Sequence, residues 1–300
     1  MMTPERDQSG PRRKQPAGSV SGGLPESGSH DTADHSALFT DVRRLPSIDS
    51  TNSYVVREAR RGSPEGLVVV ADHQSAGRGR CDRSWVAPPG SSLLASVLMR
   101  PSFGAELIHL CGMVVGLAAV DACRESAGVD ATFKWPNDLL VRDRKVAGVL
   151  AEAIFGADAG GGPAGDGDAG QSLAAVVGLG LNLNWSGHGA LMEEFEGPAS
   201  ALDREVGHAI SREKVLRSFL VSLGKRYSAL SSSAGRRSQV HEYRDRCGTI
   251  GARVRVDLSG EELVGTAVDV TLAGHLLVDT GTCIKTVIAG DVVHLRPLQR

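Results

Sequence analysis

The chain has 300 residues, a formal net charge of −2, 41% hydrophobic residues and five cysteines. That length fits one large domain, or a large and a small one, with a sizeable core. The near-neutral balance excludes a global field for nucleic acid or an anionic membrane, and an odd cysteine count without a C-x-x-C pair argues against a disulfide framework and a zinc ribbon.

Residues 1–36 are rich in Ser, Gly, Pro, Asp and Arg and are expected to form a disordered tail. They contain neither a signal-peptide apolar block nor two amphipathic helices, so neither export nor a helix-turn-helix reader is expected. Thr51–Arg61 reads as a helix with Asp49, Ser50 and Thr51 as caps, and Leu67–Ala71 as a buried strand. A polar loop with glycines and arginines, 72–91, precedes a strand at Ser92–Met99. Apolar residues at helical spacing mark Leu107–Arg124 as a core helix, whose longest apolar run, Leu110–Val120, is shorter than the roughly 20 residues that cross a bilayer. The expected protein is therefore cytoplasmic, with no membrane and no nucleic-acid partner.

Strands are expected at Thr132–Lys134, Leu139–Arg142, Val146–Ile154 and Leu173–Leu183, with a Gly-rich insert at 156–170. Arg212–Leu230 reads as a second long helix capped by Ser211, and His241–Cys247 leads out of the domain. Five short strands with glycines near their turns follow from Arg253 to Leu295, the pattern of a small SH3-like barrel. The expected fold class is α+β: a mixed β-sheet with packed helices plus a small C-terminal β-barrel. The expected division is a tail at 1–36, a catalytic domain at 37–247 and a C-terminal domain at 248–300.

Four clusters carry candidate chemistry. Gly77-Arg78-Gly79-Arg80, with Arg83 and Trp85, combines close backbone approach with guanidinium groups that pair with carboxylate or phosphate. An arginine-rich surface loop has the same composition. Lys134-Trp135-Pro136-Asn137-Asp138 turns sharply between strands and is followed by Lys145, which reads either as a surface ion pair with the acid or as a charge for a transition state. Gly148, mid-strand in Gly148-Val149-Leu150-Ala151-Glu152, marks a close approach. Gly178-Leu179-Gly180-Leu181-Asn182-Leu183-Asn184 lacks the third glycine of a dinucleotide fingerprint, and the sequence has no phosphate loop of the G-x-x-x-x-G-K-[ST] type. Cys81 lies inside the first cluster but has no evident general base beside it.

In this order, over residues from about 45 to 297, the clusters resemble the biotin–protein ligase family, the type without a DNA-binding domain. Asp49-Ser50-Thr51-Asn52, Gln74, the G-R-G-R and K-W-P-N-D strings, and the Cys247-Gly248-Thr249-Ile250-Gly251 entry to the barrel carry the resemblance. It implies a fold like that of class II aminoacyl-tRNA synthetases and biotin ligases. It also implies biotin and ATP as substrates with Mg²⁺, formation of biotinyl-5′-AMP, and transfer to a lysine of a biotin carboxyl carrier protein or domain of an acyl-CoA carboxylase. The resemblance places Ser50, Thr51, Gln74, Gly77, Arg78, Arg80, Lys145 and Gly148 on biotin. Arg80, Arg83, Trp85, Asn137, Lys145 and Asn182 fall on ATP, Trp85 against the adenine, with Lys145 and Arg80 as the catalytic pair. Cys81 and Asp82 depart from the small or basic residues usual before the tryptophan, which puts Arg83 in doubt more than Arg80. The alternatives are a lipoate–protein ligase-like acyltransferase and, from another class, a biotin-responsive transcription regulator. A monomer or weak homodimer is expected.

Overall fold

The computed structural model describes residues 38–156, 173–188, 198–258, 261–288 and 290–294. The expected tail, and the expected insert apart from Gly156, lie outside the described residues. Seven strands form the larger sheet: β1 (Asp41–Leu45), β2 (Leu67–Ala71), β3 (Ser92–Met99), β4 (Thr132–Lys134), β5 (Asp138–Val141), β6 (Arg144–Phe155) and β7 (Leu173–Asn182). Their order is β1-β2-β3-β7-β6-β5-β4, with β1 parallel to β2 and every other pair antiparallel. The sheet is therefore mixed, with packed helices, as expected.

Both faces of the sheet are covered, which is why β2 is buried at every position. Leu67 and Val69 face one small cluster with Val55 and Ala59 of α1 (Thr51–Arg60). Val68 and Val70 face the main core, beside α2 (His109–Ala127). Alternate side chains of a strand point to opposite faces, so an unbroken apolar run is what a doubly covered strand requires. Helix α2 ends at Gly128, whose φ of 65° forms the left-handed cap. By length and composition Ala105–Ala127 is apolar enough to cross a membrane, but 67% of its most apolar window is buried inside the protein, as in a core helix. It packs on α4 (Arg212–Ala229), which follows the short α3 (Leu202–Val206) and precedes α5 (Ser233–Asp245). Arg226 of α4 joins all three long helices, with Nε 2.7 Å from Asp121 and Nη2 2.8 Å from Glu242.

Three elements depart from the sequence expectations. Strand β1 was not anticipated: DVRRL is half exposed at the sheet edge and lacks an apolar run. Helix α3 is a single short turn of helix. Helix α5 begins within the serine-rich turn, where Ser232 accepts from Gly235 N, so the segment expected to lead out from His241 is already helical eight residues earlier.

The second sheet holds β8 (Arg253–Asp257), β9 (Glu262–Val270), β10 (Leu276–Asp279), β11 (Ile284–Val287) and β12 (Asp291–His294), antiparallel in the order β11-β10-β9-β8-β12. Its inner residues, among them Val254, Ala267, Val278 and Val292, share one apolar cluster with the main core. Polar ties reinforce that seam. Trp135 donates its indole N–H to Gly274 O at 2.9 Å and its backbone N–H to Thr249 Oγ1 at 2.9 Å. His109, at the start of α2, packs against Gly274, where a Cβ would come within 2.6 Å of the imidazole.

Candidate active site

The site is a cleft over the centre of the larger sheet. Its floor is glycine: Gly148 of β6 pairs in register with Gly180 of β7, and Gly178 pairs with Leu150. The Trp85 indole lies directly on that floor. A Cβ on Gly180 would stand 2.3 Å from Trp85 Cε2, and one on Gly148 would stand 2.9 Å from Cζ3. No other residue fits beneath the ring, so the mid-strand glycines are explained by close approach of a side chain. Trp85 Nε1 is buried and has no protein partner among the described residues, a donor that an acceptor on a ligand would satisfy.

The wall opposite is a small hairpin. Trp85 N donates to Gly77 O at 2.9 Å, Gly79 N to Arg83 O at 2.7 Å and Arg83 N to Arg80 O at 3.2 Å. The turn residues Cys81 and Asp82 have φ of 51° and 55°. Two successive positive φ values define the tight turn that matches strand twist, and at non-glycine residues each costs roughly 1–2 kcal/mol. Gly77 does not line the cleft but sits at the hairpin base, where a Cβ would strike Trp85 O at 2.4 Å.

The hairpin and sheet bring Arg78, Arg80, Arg83, Lys134 and Lys145 around one opening, against a single lining carboxylate, Asp138. Arg80 reaches Asn137 Oδ1 at 3.2 Å and, from the second sheet, Gly290 O at 3.4 Å. Asn137 is fixed in turn by its Nδ2 on Val149 O at 2.8 Å. Lys145 Nζ lies 2.6 Å from Asp138 Oδ1 and 5.5 Å from the centre of the Trp85 ring. Both readings of Lys145 thus meet in one geometry: the ion pair exists, and it stands in the cleft. Val292 of β12 closes the rim.

At the other end the cleft becomes a polar recess at the N-terminus of α1. Ser50 caps the helix, accepting from Ser53 N. Thr51 donates from N and Oγ1 to Gln74 Oε1, at 2.7 and 2.9 Å. Ser96 Oγ lies 2.7 Å from Thr51 Oγ1 and 2.6 Å from Asn52 Oδ1. Asn52 Nδ2 donates to Glu152 Oε2 at 2.7 Å, which also receives Arg78 Nη2 at 2.7 Å. Asn52, Ser96 and Glu152 were not singled out as site residues. Ser96 had a signal, since a serine inside the run SLLASVLM is polar where a doubly covered strand should be apolar.

Asn182 is not brought to the cleft. It is 2% exposed and donates from Nδ2 to Ser200 O at 3.0 Å, tying β7 to the segment before α3. Ser50, Thr51, Gln74, Arg78, Arg80, Arg83, Trp85, Asn137, Lys145 and Gly148 all line the single cleft.

A family model described as the biotin/lipoate A/B protein ligase family matches residues 45–163, and the model of the biotin protein ligase C-terminal domain matches residues 249–295. The biotin--[acetyl-CoA-carboxylase] ligase of Mycobacterium tuberculosis is 34% identical over 254 residues, covering 82% of this chain and 86% of that one. The chain belongs to the biotin–protein ligase family. The bifunctional ligase/repressor of Bacillus subtilis is 27% identical over 245 residues, 82% of this chain and 71% of that protein. Among solved structures, the biotin protein ligase of Aquifex aeolicus in complex with biotin and ATP superposes with a TM-score of 0.70 at 25% identity, covering 86% of this chain and all of that one. A match to the ligase C-terminal model separates the biotin reading from a lipoate ligase-like acyltransferase.

Proposed function

We propose that the cleft binds biotin in its polar recess and ATP at its cationic mouth, forms biotinyl-5′-AMP, and passes the biotinyl group to a lysine of a biotin carboxyl carrier protein or domain of an acyl-CoA carboxylase. One observation carries this reading: a recess of hydrogen-bonding groups, in which the Glu152 carboxylate is matched by Arg78, and a cluster of cations share one glycine-floored cleft. The recess suits a neutral cyclic urea, which needs both donors and acceptors. The cations suit two anions that must be pressed together.

In the first step a carboxylate oxygen of biotin attacks the α-phosphorus. A new P–O bond forms, the bond to the β-phosphate oxygen breaks, and pyrophosphate leaves. Lys145 and Arg80 neutralise the charge gathering on both reactants, and Lys145 leaves Asp138 to do so. Trp85 covers the nucleotide and keeps water from the mixed anhydride. In the second step the carrier amine attacks the biotinyl carbonyl, AMP leaves with the electron pair of the C–O bond, and the amine loses a proton. Gln74, Thr51 and Ser50 hold the ring, with Arg78 and Gly148 beside the chain. Mg²⁺ enters as part of the nucleotide substrate. Asp138 and Asn137, which line the cleft, would be the residues to hold it, and it would supply positive charge to the phosphate groups. The same reading places the enzyme in the cytoplasm as a monomer or weak homodimer that acts on protein and not on nucleic acid.

Mass spectrometry of a carrier domain incubated with the protein, biotin, ATP and Mg²⁺ tests this, with lipoate in a parallel sample. One biotinyl group on one lysine is expected, and lipoyl transfer in its place overturns the reading. Lys145→Ala should abolish biotin-dependent pyrophosphate exchange while biotin still binds by calorimetry. Full exchange by that variant removes Lys145 from the chemistry.

A further inference from the structure

Lys145 occupies an irregular stretch of backbone. Going from Leu139↔Ala147 to Leu140↔Lys145, the β5–β6 register slips by one, leaving Val146 as an extra residue in β6. Such a bulge turns the neighbouring side chain away from its regular direction. On the other side, the β6–β7 ladder begins only at Ala147↔Leu181, so Lys145 lies beyond the end of β7. Its backbone groups are taken instead by residues 198–200. Lys145 N donates to Pro198 O at 2.9 Å, Ser200 N donates to Lys145 O at 2.9 Å, and Lys145 bridges Ala199 in parallel.

This substitute strand has its own anchor. Ser200 Oγ donates to Glu205 Oε1 at 2.5 Å, and Arg144, the residue before Lys145, reaches the same oxygen from Nη2 at 2.7 Å. Arg142 Nη1 stands 3.4 Å from Glu205 Oε2. The Glu205 side chain is 0% exposed. Asn182 Nδ2 secures Ser200 O from the last residue of β7. A buried carboxylate is kept only where its partners compensate the lost hydration, and here every partner named belongs to the two segments that flank Lys145.

We infer that Glu205 is a positioning residue for Lys145: its buried carboxylate clamps Ser200 and Arg144, and so fixes the bulged backbone that aims the lysine into the cleft. This inference rests on the role proposed for Lys145 and deepens it. Glu205 touches no substrate. It acts through two hydrogen bonds on the lysine's own backbone, at the opposite end of the cleft from Ser50, Thr51 and Gln74, so its loss should leave the biotin recess as it is.

Glu205→Gln keeps the shape and removes the charge. The expected result is a fall in the kcat of biotin-dependent pyrophosphate exchange of about tenfold or more, since a displacement of about 1 Å is enough for such a loss. Biotin affinity should stay within about twofold, because the transition state alone is affected. Competitive labelling of amines with a limiting reagent, read by mass spectrometry, should show a changed rate at Lys145 with Lys214, Lys225 and Lys285 unchanged. Unchanged exchange, biotin affinity falling in proportion, or all lysines shifting together overturns the inference. If Glu205→Gln does not fold, Ser200→Ala is judged by the same three readouts, with a smaller expected fall. Intact exchange in Lys145→Ala would defeat the proposed site itself. Loss of exchange there, with Glu205→Gln and Ser200→Ala both unaffected, defeats this inference alone.

Discussion

Arg80 is held by the amide of Asn137 and the carbonyl of Gly290, and in the proposed function its guanidinium grips the adenylate phosphate. Arg80→Gly is expected to loosen that grip rather than prevent the first reaction. Free biotinyl-5′-AMP should appear in an ultrafiltrate during turnover, and bystander lysines should gain biotin; retention equal to the parent would refute the role. Gly180 makes a sharper test of the floor. Alanine there has its Cβ 2.3 Å from the Trp85 ring, and such overpacking costs about 1–3 kcal/mol. Gly180→Ala should therefore expel the indole, raising its fluorescence quenching by acrylamide and raising the KM for ATP about tenfold. The residue types at Arg78, Arg80 and Lys145 pointed in the sequence to one cationic site, because charge is local chemistry, and all three line the cleft. Asn182 falls outside the lining of the cleft, because its amide nitrogen is bonded to Ser200 O, a partner that only the fold brings near. Glu205 gave no signal, since its three cationic and hydroxyl partners come together only through the fold.

The strands written in apolar runs were legible to the residue: Leu67–Ala71 and Ser92–Met99 stand where the pattern put them, as does the short Thr132–Lys134. Periodicity fails where an element is half exposed, as in β1, or where serine and glycine open a helix, as in α5. The hairpin from Gly77 to Trp85 was legible only as a loop, because its turn uses Cys81 and Asp82 at positive φ where Asn-Gly would announce it. That mismatch makes the element adjustable. Replacing both residues together, Cys81→Asn with Asp82→Gly, should relieve roughly 1 kcal/mol or more and slow hydrogen exchange of the hairpin amides in the ligand-free protein. In the parent, biotin plus ATP should slow the same amides; exchange indifferent to both ligands would exclude closure of this element over the adenylate.

At the scale of the whole molecule, the two sheets share one core and a seam that contains histidines. Burial, with His275 nearby, pulls the His109 pKa from 6.5 down to about 4. Burial and Lys134 lower that of His294, whose Nε2 lies 2.9 Å from Thr249 Oγ1. A histidine that is harder to protonate in the folded state favours folding above its unfolded pKa, and that advantage is lost as pH falls below about 6.5 towards 4. The melting temperature should therefore drop across this interval, and His109→Gln should flatten part of the slope; an identical slope in the variant would place the titration elsewhere. The long hairpin of β6 and β7 has a practical corollary. From Lys145 to Phe155 the chain runs ten residues of extended strand, about 33 Å, before residues 157–172 join it to β7. A fluorophore attached at Phe155, which pairs with Leu173 at that end of the sheet, would report on the enzyme without crowding the lysine.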